Sequence, residues 1–202
     1  MRWLLVILVP LCLLACSERA GMQGGTIFPS DMKLQTGDIV FRRGSGFTSQ
    51  AVIIAEHGGA YSHVGIVVDS AGVPMIVHSV PGEPDFEGDE DRVKMESPEA
   101  FFSEMRAQRG ALYRHADSVV AKSAACEALA VYHRGVLFDH DYDSSDTTKM
   151  YCTELVVFSF SKTKSPLRDV ENEHLKLIGF ETDCILPSAL LNCKDLRKVA
   201  TF

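Results

Sequence analysis

The chain has 202 residues, 46% of them apolar and 23% charged, and a formal net charge of -7. That length suits one domain with a substantial core rather than two, and that composition excludes a disordered polymer. No basic run is present, so nucleic acid is not an expected partner.

The chain begins "MRWLLVILVPLCLLAC". Arg2 gives a short positive start, and the apolar run to Ala15 is too short to span a bilayer comfortably. It reads as a secretory signal over residues 1–15. Its end, Leu13-Leu14-Ala15-Cys16, has the form of a bacterial lipobox, in which Cys16 is diacylated and becomes the new N-terminus. Two acyl chains hold a protein on a membrane stably. Ser17 rather than Asp follows the cysteine, which favours an outer-membrane, periplasm-facing location. Residues 16–32, rich in Gly and small polar residues, read as a flexible tether, and the folded domain is expected over 33–202.

Past the tether, "GDIVFRR" reads as a turn and a short strand. "FTSQAVIIAEHGG" has helical spacing and a Gly-Gly stop. "YSHVGIVVDSAGVPMIVHSV" reads as a hairpin about a Ser-Ala-Gly turn. Six acidic residues follow between Glu83 and Asp91. Their alternation, with Glu96 at the twelfth place, has the look of a calcium loop, but Glu90 stands where glycine is required, and a solvated loop is the preferred reading. Ser97-Pro98 opens a predicted helix over 97–108, and 110–116 reads as a strand. The clearest helix is 117–135, capped by Asp117 and closed by Gly135. An acidic loop over 137–149 leads into a helix over 150–161, for which Thr147 or Thr148 is the expected cap. A short helix after Pro187 and a terminal strand near "RKVATF" complete an α+β pattern with no internal repeat.

Once Cys12 leaves with the signal and Cys16 carries lipid, four cysteines remain: Cys126, Cys152, Cys184 and Cys193. Oxidising compartments favour pairing, so Cys184 and Cys193 are either a local disulfide or two separate thiols. Cys126 reads as a buried helix residue. No paired Cys/His spacing supports a metal, and no cofactor is implied. Cys152, in "MYCTELVVF", is then either a core thiol or a nucleophile. A nucleophile wants a helix N-terminus and a nearby imidazole. His63 and His78 stand equidistant from the centre of the Asp69–Gly72 turn, which makes them direct cross-strand neighbours if the turn is regular. His57, His115, His133, His140 and His174 read as structural or surface residues. Glu154, polar in an apolar helix, faces either the site or water.

"GDIVF", "YSHVGIVV", "IVHSVPG", "FDHDYD" and "YCTELV", in that order, resemble the circularly permuted papain-like cysteine hydrolases, the YiiX/YebB-like branch of the NlpC-type superfamily. The resemblance covers roughly residues 34–192. It implies an antiparallel sheet packed on helices, with the histidine strand ahead of the cysteine helix. It implies Cys152 as nucleophile, His63 as base and His78 as the third, orienting residue. That third residue is commonly glutamate in this branch; histidine there resembles the lecithin retinol acyltransferase type. Covalent catalysis through a thioacyl-enzyme follows, with an oxyanion held by backbone N–H groups at the helix start and Tyr151 lining the substrate site. The implied substrates are peptides or amides of the cell envelope. Acyl transfer, thioester cleavage or lipid-ester cleavage is the first alternative, and a non-catalytic binding protein that keeps the pocket is the second.

Overall fold

A computed structural model describes residues 24–177 and 180–202; the expected signal peptide and Cys16 lie outside the described residues. Its centre is a six-stranded antiparallel sheet in the order β4-β3-β2-β1-β5-β8. The strands are β1 (Ile39–Gly44), β2 (His63–Ser70), β3 (Val73–Val80), β4 (Arg92–Glu96), β5 (Ala107–His115) and β8 (Leu196–Thr201). A separate hairpin pairs β6 (Glu173–Leu177) with β7 (Phe180–Cys184). The helices are α1 (Phe47–Ala55), α2 (Pro98–Phe101), α3 (Ser118–His133), α4 (Cys152–Phe160) and α5 (Pro187–Leu191).

Both faces of the sheet are buried, so β1 and β2 carry apolar runs, 39–41 and 64–68, rather than strict alternations. On one face, Ile39, Phe41, Val64, Ile66 and Val77 meet α3 and α4 through Ala124, Ala128, Leu155 and Val156. On the other, Val40, Val67, Ile76 and Leu112 meet Phe101 and Phe102. Gly37 marks a point of closest approach between layers. A Cβ there would lie 2.3 Å from the Ala121 carbonyl oxygen of α3, and its φ of +88° already favours glycine.

Three sequence expectations are corrected and one alternative is settled. Residues 27 and 28, expected within the tether, are packed on the body, because Ile27 donates its N–H to the Phe102 carbonyl at 3.0 Å and Phe28 stacks on Phe102; two large apolar residues find a place in the second core. The helix expected over 97–108 stops after α2. Ser97 caps it through the Ala100 N–H, and the chain then turns to pair β5 with β1, so sheet pairing overrides local propensity. Cys126 is exposed on α3 rather than buried. Cys184 and Cys193 are free thiols, Cys184 being buried in the main core and Cys193 packed against it.

The hairpin of β2 and β3 forms as expected but in another register. Ser70 pairs with Val73 and Ile66 with Val77. The turn is only Ala71-Gly72, both at positive φ (54° and 85°), as a two-residue type I′ turn demands. Continuing that register sets Gly65, not His63, opposite His78.

Candidate active site

Cys152 is the first residue of α4, and the cap is Tyr151 rather than Thr147 or Thr148. The Tyr151 N–H donates to Glu154 Oε2 at 3.3 Å, and the Thr148 N–H is taken by Asp146 within the preceding loop. The start of α4 is fixed from two sides. Thr153 Oγ1 donates to the Ile185 carbonyl at 2.6 Å, and the Ile185 N–H donates to Tyr151 Oη at 2.9 Å. Ser79 of β3 donates to the Met150 carbonyl at 2.6 Å, which ties this helix start to the strand that carries His78.

Burial pushes the Cys152 thiol up to about 11, although the N–H groups of Val64, Thr153 and Cys152 itself, and the charge of Arg42, oppose that rise. Val64 is the residue after His63, so the sulfur lies against the opening of β2. His63 and Cys152 line one cleft of about 290 Å³ together with Arg42, Ser62, Ser79, Tyr142 and Tyr151. No hydrogen bond joins the sulfur to the imidazole in this resting arrangement.

His63 Nε2 is 2.9 Å from His78 Nδ1. The expected contact between the two histidines therefore exists, as a diagonal rather than a direct cross-strand pair; such neighbours remain within reach of long side chains. Gly65 makes room for it, since a Cβ there would stand 3.2 Å from the His78 Cβ. His63 stacks on Phe101, and His78 meets the same ring edge-on. Burial, then the positive charge of Arg42, then His78, push the His63 imidazole well below its usual range. Burial likewise lowers His78, against the pull of Glu96. Thiol and imidazole are thus both neutral at pH 7.

Beneath the histidines lies a charged network that the sequence reading missed. Glu96 Oε1 is 3.0 Å from His78 Nε2, close, though bent away from a straight hydrogen bond. Arg106 Nη1 sits 2.9 Å from Glu96 Oε2 and 3.3 Å from Glu83 Oε2. Arg42 pairs with Glu83 and donates to the Phe101 carbonyl at 2.7 Å. Burial alone would raise Glu96; His78, Arg106 and Arg42 instead hold it at about 2. The acidic loop is therefore only partly a solvated loop: Glu83 serves this network, and Asp85 and Asp89 pair with Lys94 and Arg92. Two signals could have revealed the network. Alternation along β1 sets Arg42 on one face with Val40, and "RVKME" is a short alternating run that pairs with β3.

A second cleft, of about 400 Å³, shares Cys152, Tyr142, Tyr151, Phe47 and Val52 with the first and is mostly apolar, its further wall being Leu175, Ile185, Leu186 and Pro187. Tyr151 lines both clefts. Glu154 is the residue whose direction the sequence left open. It is 5% exposed, so it faces neither water nor the polar cleft, and burial raises its carboxyl to about 8. Among the described residues no group of three or more His, Cys, Asp or Glu side chains is placed to hold a metal, and no helix is long and apolar enough to cross a membrane.

A family model described as "permuted papain-like amidase enzyme, YaeF/YiiX, C92 family" matches residues 33–200. Among solved structures, the chain is similar to the metalloprotein YiiX from Escherichia coli O157:H7. The TM-score is 0.66 at 20% identity, over 85% of this chain and 99% of that one. At that identity the likeness is one of fold. No curated protein matches the chain.

Proposed function

The chain belongs to the permuted papain-like amidases of the YaeF/YiiX, C92 family, and from that premise we propose that it is a lipid-anchored periplasmic cysteine hydrolase cleaving amide bonds of cell-envelope peptides. The observation that carries this reading is the placement of Cys152 at the first position of α4, in one cleft with a His63 ring bonded to His78. Cys152 sulfur attacks the amide carbonyl carbon while its proton passes to His63. Because both groups start neutral, the transfer accompanies the attack and no preformed thiolate is needed. The contact between them is completed when substrate fills the cleft, as catalytic hydrogen bonds often are. The oxyanion accepts hydrogen bonds from N–H groups at the start of α4. His63 then gives the proton to the departing amine. It next takes a proton from water, whose oxygen attacks the thioester carbonyl and releases the acid and the thiol.

One observation favours a second reading. The apolar cleft beside Cys152 suits a hydrocarbon chain, which would make the cleaved group a fatty acyl ester, thioester or amide, or pass it to an acceptor other than water. The same experiment addresses both. The protein is exposed to cell-envelope extract, trapped in acid, and the mass added at Cys152 is read. A peptide acyl adduct supports the first reading and a fatty acyl adduct the second, and His63→Ala should reduce either at least tenfold. A folded protein that takes up no adduct, and whose reaction with iodoacetamide is unchanged by His63→Ala, overturns both in favour of a binding protein.

A further inference from the structure

We propose that Glu96 is a positioning residue that fixes where the protons sit in the His63–His78 pair, so that the base nitrogen of His63 is left free for the thiol. The inference rests on the reading of Cys152 as nucleophile and His63 as its base. It is carried by a line of side chains that runs diagonally over three neighbouring strands. Strand pairing sets His78 opposite Lys94 and Ile76 opposite Glu96, so Glu96 is a diagonal neighbour of His78, as His78 is of His63. The successive separations are 2.9 Å and 3.0 Å. His78 is 0% exposed and the Glu96 side chain 10%.

Donors and acceptors set the order of the protons. A neutral imidazole has one nitrogen that donates and one that accepts. Glu96 is ionised and only accepts. His78 must then carry its proton on Nε2, facing Glu96, which leaves Nδ1 as an acceptor. That acceptor demands the proton of His63 on Nε2, and the lone pair of His63 is left on Nδ1, the only nitrogen not committed to His78. Without an acceptor at Glu96 the chain can run in reverse. His78 would then donate from Nδ1, His63 would accept at Nε2, and its proton would move to Nδ1, where it blocks base action. Arg106 secures the direction, because its Nη1 donates to the second Glu96 oxygen and cannot accept.

This makes the isosteric variant Glu96→Gln informative. Arg106 keeps hold of the amide oxygen, which turns the NH2 group toward His78 Nε2 and inverts the proton order. Adding Arg106→Met frees the amide to rotate and restores it. The measurement is the nitrogen NMR spectrum of the histidine rings in the uniformly labelled full chain at pH 7.5, assigned by single-histidine variants, with the rate of Cys152 alkylation by iodoacetamide taken beside it. The expected wild-type spectrum has His78 and His63 both protonated at Nε2. Glu96→Gln should move both protons to Nδ1 and slow alkylation at least tenfold, and the double variant should recover most of that loss. A wild-type His78 protonated at Nδ1 overturns the proposal, whether or not any variant folds. So do a folded Glu96→Gln protein with unmoved protons and a rate within twofold, and a double variant that stays inverted. A wild type with the expected proton order but an unreactive Cys152 would sink the hydrolase reading while leaving the proton order standing.

Discussion

At the level of single residues, the site sets two kinds of buried polar group against each other. Glu96 is buried but paid for by His78 and two arginines, so it stays ionised. Glu154 is buried with one oxygen on the Tyr151 N–H and the other without a partner, so burial wins and its carboxyl rises to about 8. The two have opposite consequences for stability. A carboxyl held above its unfolded value of about 4.3 favours the fold in its protonated form. Its contribution is therefore complete below that value and is lost as pH rises through about 8. Glu154→Gln keeps an oxygen for the Tyr151 N–H and cannot ionise. Between pH 6 and 9.5 the wild type should accordingly lose stability relative to this variant, by on the order of 1 kcal/mol, or about 2–4 °C in melting temperature. The buried thiols of Cys152 and Cys184 also titrate above neutrality, and they cancel in that comparison. Parallel melting temperatures across the range would mean that Glu154 is not buried as described. Glu96 behaves in the reverse sense, its contribution being present above about 4.3 and lost only as pH falls toward about 2.

Among the elements, what could be read from the sequence was whatever local chemistry decides. The helix α3 was legible at both ends, because Asp117 accepts the N–H groups of Val119 and Val120 and Gly135 takes the positive φ that ends it. Asp117→Ala should cost about 1 kcal/mol, seen as a fall of about 2–4 °C in melting temperature. It should leave the alkylation rate of Cys152 unchanged, since the cap lies far along the chain from either histidine strand; an altered rate would show that α3 positions the site as well as supporting it. Pairing between strands was less legible. Residues 61–80 announce a hairpin, but Ala71 at positive φ is a conformation an alanine rarely takes, so the tight turn was invisible and the register came out differently. The contact of His63 with His78 survived because long side chains tolerate a diagonal offset. Glu96 was hidden for another reason: the six acids before it drew β4 into the apparent loop, and the five-residue alternation of "RVKME" becomes a strand through its pairing with β3. The hairpin of β6 and β7 escaped because "EHLKL" is mostly polar and gains its strand character only from its partner.

For the molecule as a whole, the proposed anchor bears on how the site meets its substrate. The chain joins the folded body beside the cleft: the Glu104 N–H donates to the Gly25 carbonyl at 2.8 Å, and Met105 forms part of the rim. Only seven residues lie between Cys16 and Gly24, and the eight Cα-to-Cα steps that join the two reach at most about 28 Å. If Cys16 carries lipid, that span keeps Gly24, beside Met105 on the rim of the cleft, within about 28 Å of the bilayer, so envelope substrates held at the membrane are met at a raised effective concentration. Cys16→Ala in cells should then move the protein from the membrane to the soluble fraction. It should leave the reaction of Cys152 with a small soluble alkylating agent within twofold of wild type, and reduce at least tenfold the adduct formed from intact envelopes. An unchanged distribution between fractions would remove the lipid anchor. A full release that left adduct formation from intact envelopes undiminished would keep the anchor but separate it from the chemistry, and the substrate would then have to come to the protein through the periplasm.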